Sequence, residues 1–83
     1  MSNEIDIEVG RRIRIRRWAL GLSQQDLASE IGVRFQQVQN YETGSNRVSA
    51  SRLWMIAQVL KVNVEFFFAE LGNGTYRSSK SAK

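Results

Sequence analysis

Between Gln24 and Gly44 two short apolar stripes are separated by a glycine, and this arrangement limits the fold more than any other feature. Leu27 and Ile31, then Val38 and Tyr41, lie at helical spacings, so each segment is a helix with one narrow buried face. The pattern breaks at Gly32, where a residue without Cβ takes positive φ at no steric cost and ends the first helix. Ala28 shares the inner face with Ile31, and a methyl group there lets the second helix come close. Val33 closes the corner with an apolar side chain. A connection of about three or four residues brings the two helices to a sharp crossing.

The remaining elements follow from the same signals. Glu4, Asp6 and Glu8 precede an arginine run, a charge order that suits the dipole of a first helix whose buried stripe is Ile5, Val9, Ile13 and Leu20. Gly21 ends it. Ser23 is placed as an N-cap with Asp26 in a capping-box position, predicting a second helix over about residues 24–31 and a third over about 34–42. Ser49 or Ser51 caps a fourth helix carrying Leu53, Ile56, Ala57 and Leu60, and Val62 and Val64 lead into a short fifth one ending near Leu71. The expectation is an all-α, five-helix domain over residues 1–71. The polar stretch 72–83 reads as a disordered basic tail.

Gly21-Leu22-Ser23-Gln24-Gln25-Asp26-Leu27-Ala28, then Ile31-Gly32-Val33, Val38, Tyr41-Glu42 and Gly44 resemble the Cro/C1 (XRE) family of helix-turn-helix DNA-binding proteins, over roughly residues 9–68. The resemblance implies a compact lambda-repressor-like fold whose third helix enters the major groove of double-stranded DNA. Independently of it, Val38 and Tyr41 occupy the inner side of that helix, and Phe35, Gln36, Gln39, Asn40 and Thr43 project outward. Gln and Asn donate and accept at once, matching adenine N6 and N7 bidentately. The positions that correspond to the family's base contacts are Arg34, Phe35, Gln36, Gln39 and Asn40. Phe35 has two readings, contact with a thymine methyl or a staple beside Val38. Gln37 stands at the flank.

Phosphate contacts rest on different physics. The start of the second helix presents unpaired N–H groups and partial positive charge, and the family role of the residue matching Gln24 is to contact the DNA backbone and brace the recognition helix. Gln37 and the loop residues Thr43, Ser45, Asn46 and Arg47 complete the candidate phosphate set. In the family the pair matching Arg17 and Glu42 forms a partly buried ion pair, a structural role. Two positions depart from the family pattern: Gln39 stands where many relatives have Ser, and Val48 where many have Pro.

Composition narrows the functional classes. The net charge is +4, but it is unevenly spread: Arg11, Arg12, Arg14, Arg16, Arg17, Arg34, Arg47 and Arg52 meet only Asp26, Glu30 and Glu42 across residues 9–53. The chain has no Cys and no His, so thiolate metal sites and the commonest acid-base group are unavailable. No catalytic constellation, metal site or cofactor motif stands out, which makes an enzyme the least supported class. Eighty-three residues fit one small domain, with no apolar run of membrane-spanning length and no secretory signal, the expectation for a cytoplasmic protein.

Phe66, Phe67 and Phe68 are consecutive and fan over about 200° on a helix, too wide for one core face. With Trp54, Val64 and Leu71 they point to a homodimer surface, the other reading being a bundle that wraps the segment from two sides. The leading functional expectation is a dimeric, sequence-specific transcriptional regulator, a repressor on a palindromic operator. Two alternatives stand beside it. One is a protein-interaction module on the same fold; the other is an antitoxin or restriction-modification controller protein.

Overall fold

The computed structural model describes residues 3–72, so most of the segment expected to be a tail lies outside it. Five α-helices run in the order α1 (Glu4–Ala19), α2 (Gln24–Ile31), α3 (Phe35–Thr43), α4 (Ala50–Leu60) and α5 (Ala69–Gly72), and a 3₁₀ segment, Val64–Phe68, leads into α5. No helix among the described residues is long and apolar enough to cross a membrane.

Helix boundaries follow local chemistry. Asn3 caps α1 by accepting from the Asp6 amide at 2.8 Å. At α2, Ser23 Oγ accepts from Asp26 N and Asp26 Oδ2 accepts from Ser23 N, each at 2.9 Å, which completes the capping box. The helix ends at Gly32, whose φ of 73° places it in the left-handed region. Ser49, not Ser51, caps α4 through the Arg52 amide. Helix α3 starts one residue later than the sequence suggests, because Arg34 has the extended backbone of a cap.

The core joins all elements before α5. Val9 and Ile13 from α1, Leu27, Ala28 and Ile31 from α2, Val38 and Tyr41 from α3, Leu53, Ile56, Ala57 and Leu60 from α4, and Phe67 form one buried cluster. The first helix departs from expectation at its start: Ile5 is exposed, and Gly10 is buried in the stripe instead. A Cβ on Gly10 would overlap the Tyr41 carbonyl oxygen and lie 2.8 Å from that of Glu42. The backbones of α1 and α3 therefore touch, and only glycine allows it.

The aromatic triplet also corrects the sequence reading. Phe67, assigned above to a dimer face, is completely buried within its own chain. In a 3₁₀ segment successive side chains point about 120° apart, so Phe67 enters the core while Phe66 and Phe68 lie half-buried on either side. Phe66 meets Phe67 edge to face at 5.4 Å and carries the Arg12 guanidinium 4.7 Å from its ring centroid. For Phe67 the wrapped bundle is the arrangement found.

Two arginines tie helix ends together. Arg16 Nε donates to the Leu60 carbonyl at 2.8 Å, and Arg52 Nη1 donates to that of Ile31 at 2.9 Å. Both satisfy carbonyls that the last turn of a helix leaves without partners.

Candidate nucleic-acid interface

Helix α3 is held from beneath and open above. Val38, Tyr41 and Glu42 are buried, whereas Phe35, Gln36, Gln39 and Asn40 are exposed. The amide side chains of Gln36, Gln39 and Asn40 take part in no hydrogen bond among the described residues, so both the donor and the acceptor of each remain available. Gln37 differs. Its Nε2 donates to the Tyr41 hydroxyl at 2.8 Å, which fixes this half-buried amide along the helix flank.

The support under α3 is a buried polar cluster centred on Glu42, whose side chain is fully enclosed. Glu42 Oε2 accepts from Arg17 Nε at 2.7 Å, and Oε1 accepts from Arg17 Nη2 at 2.9 Å, a two-pronged geometry. Gln24 Nε2 also donates to Oε1 at 2.9 Å, and Arg14 Nε stands 3.6 Å from the same oxygen. Arg17 further donates from Nη1 to the Leu22 carbonyl. No buried side-chain polar atom among the described residues lacks a partner. One carboxylate thus links α1, the start of α2 and the end of α3, so the relative placement of Gln24 and α3 is set by charge-assisted bonds.

The loop after α3 is compact. Thr43 and Ser45 hydroxyls lie 2.9 Å apart, the Asn46 amide donates to the Asn40 carbonyl, and Thr43 Oγ1 donates to that same carbonyl. Thr43, Ser45, Asn46 and Arg47 are all exposed beside the amide row. Arg47 Nε donates to Asp6 Oδ2 at 3.2 Å, a pairing that the sequence does not announce.

Arginine count alone overstates the free positive charge. Arg11 and Arg12 both bond to Glu8, whose carboxyl is held below its ordinary range first by the Arg11 hydrogen bond, against desolvation, with the charges of Arg11 and Arg12 adding to the fall. Arg14 lies near Glu42 and over the Trp18 ring, and Arg16 and Arg52 cap helices. Arg34 is the one arginine among the described residues with neither an ion pair nor a side-chain hydrogen bond, and it stands exposed at the start of α3.

The sequence reading missed Gly10, the Asp6–Arg47 pair and the two helix-capping arginines. Gly10 carried a usable signal, since an isolated glycine inside a helical pattern points to a packing reason. The arginine contacts carried none: Arg16 and Leu60 are 44 residues apart.

Comparison with known proteins agrees with this geometry. A helix-turn-helix family model matches residues 7–67. An "uncharacterized HTH-type transcriptional regulator" of Sinorhizobium medicae is 55% identical over 76 residues, covering 88% of this chain and 55% of that protein. The chain therefore spans little more than half the length of that relative. Among solved structures, the restriction-modification controller protein C.AhdI from Aeromonas hydrophila superposes with a TM-score of 0.71 at 32% identity, covering 75% of this chain and 94% of that one. SinR, a master regulator for biofilm formation solved in complex with DNA, gives 0.68 at 28% identity, covering 72% and 97%. With a glycine corner, an open amide row and a buried Arg–Glu brace in one arrangement, and with these likenesses, the chain belongs to the Cro/C1-type (XRE) helix-turn-helix family of transcriptional regulators.

Proposed function

We propose that the chain binds double-stranded DNA sequence-specifically by placing α3 in the major groove, and that it represses transcription by occupying its operator. One observation carries the reading: Gln36, Gln39 and Asn40 are exposed and unbonded on a helix whose other side is locked into the core. In this reading Arg34, Phe35, Gln36, Gln39 and Asn40 face base edges. Phe35 is 39% exposed, consistent with a ring free to meet a thymine methyl. Gln24, Gln37, Thr43, Ser45, Asn46 and Arg47 fall on the phosphate side.

In the same reading the chain acts as a homodimer through a second surface, at the end of α4 and the segment after it. Trp54 is 58% exposed and lines a groove with Val62 and Val64, while Phe66 and Leu71 are half-buried. Covering that end by two-fold symmetry would set two recognition helices about 34 Å apart and call for a palindromic operator. A controller role of the kind named for C.AhdI would use the same mechanism.

The test is selection of binding duplexes from random sequence by the purified protein, followed by Gln36→Ala. The expected outcome is a loss of about 1–3 kcal/mol on the selected duplex with little change on scrambled DNA. Equal loss on both would refute the base contact, and an unenriched selection would refute sequence-specific binding altogether.

A further inference from the structure

We infer that Asp6 is a positioning residue for DNA binding: the first turn of α1 holds the loop after α3 so that the Arg47 guanidinium presents its free fork to a phosphate. This rests on the DNA-binding reading above. Two separate contacts support it.

The first is the ion pair. Asp6 Oδ2 receives Arg47 Nε alone, at 3.2 Å, and neither terminal nitrogen of Arg47 has a partner among the described residues. The two partners are unequal: the Asp6 side chain is 13% exposed and that of Arg47 is 72% exposed. A carboxylate that took both nitrogens of one edge, as Glu42 takes Nε and Nη2 of Arg17, would leave only one terminal nitrogen for a phosphate. Engaging Nε alone leaves both terminal nitrogens without a partner among the described residues, on a largely exposed side chain, so that an incoming phosphate can bridge them. A free arginine loses considerable rotamer freedom when it docks. Here part of that ordering is already complete before DNA arrives.

The second contact fixes the backbone beneath the pair. Ile7, the next residue in α1, packs so tightly on Gly44 that a Cβ there would come within 2.8 Å of Ile7 Cγ1 and 2.9 Å of its Cα. Gly44 is itself the left-handed cap of α3, with φ of 82°. The turn bearing Asp6 is in turn held by Asn3, which accepts from the Asp6 amide. A continuous path therefore runs from Asn3 through Asp6 and Ile7 to the loop that flanks the amide row. Asp6 thereby acts on phosphate through Arg47, although its own charge would repel it.

The test is a double-mutant cycle of Asp6→Ala and Arg47→Ala, read by fluorescence anisotropy on the selected duplex and on a scrambled one across a salt series. Arg47→Ala is expected to weaken binding to both duplexes and to lower the salt slope by about one. Asp6→Ala in the wild-type background should weaken both about threefold to tenfold, and in the Arg47→Ala background it should weaken neither. Asp6→Asn, which keeps an acceptor for Nε, should recover most of the loss. A purely structural role for Asp6 would instead leave its effect intact without Arg47. Tighter binding by Asp6→Ala would overturn the inference by showing that the carboxylate competes with phosphate, and additive effects would overturn it by showing no coupling. Either result leaves the DNA-binding reading standing, because that reading is tested by the wild-type selection and Gln36→Ala.

Discussion

Removing the Glu42 carboxylate should cost this domain a large part of its stability. Glu42→Ala deletes the acceptor of two Arg17 bonds and one Gln24 bond, leaving a guanidinium whose side chain is only 8% exposed with the Leu22 carbonyl as its remaining partner. An uncompensated buried charge of this kind costs about 3–5 kcal/mol. The whole stability expected for 83 residues is about 4–12 kcal/mol. Urea unfolding followed by far-ultraviolet circular dichroism reads the difference directly, provided the m-value is unchanged. The double variant Arg17→Met/Glu42→Met removes both charges and keeps apolar bulk, so it should be more stable than Glu42→Ala by about 2 kcal/mol or more. It also keeps the test alive if Glu42→Ala does not fold. A Glu42→Ala loss below about 1 kcal/mol, or a double variant no more stable than that single one, would refute the view of Arg17 and Glu42 as one buried unit.

Two further outcomes follow from the first helix. Gly10→Ala should destabilise by about 1–2 kcal/mol, because separating α1 from the Tyr41 and Glu42 carbonyls costs more than the roughly 1 kcal/mol alanine gains in helix propensity; a thermal midpoint equal to or above wild type would contradict the close crossing. Glu8 has a folded-state pKa below its unfolded value, so its ion pairs with Arg11 and Arg12 stabilise fully above the ordinary glutamate range and are lost as pH falls through the lowered value. Glu8→Gln should flatten that part of the acid limb in a stability-versus-pH series, and an unchanged limb would show that other carboxylates set it.

Local signals along the chain specify the first four helices, the capping box of α2 and the glycine corner. Ser23 with Asp26, and Gly32 after Ile31, act over one turn of chain, and helical periodicity names Leu27, Val38, Ile56 and Leu60 as core without reference to distant residues. The outward amide row of α3 was legible for the same reason, since burying Val38 and Tyr41 leaves Gln36, Gln39 and Asn40 on the other side. Tertiary structure decided the matters that depend on which segments meet. The crossing of α1 with α3 requires glycine at position 10, and the assembled fold leaves Ile5, which fits the periodic stripe, exposed. Only the 3₁₀ geometry sends Phe67 inward between half-buried neighbours. Arginine is the least readable residue of all, because its long side chain reaches carbonyls and carboxylates on remote elements, as Arg16 does at Leu60 and Arg47 at Asp6. Periodicity reports which way a Cβ points, whereas the destination of a guanidinium several bonds beyond it is fixed by the assembled fold.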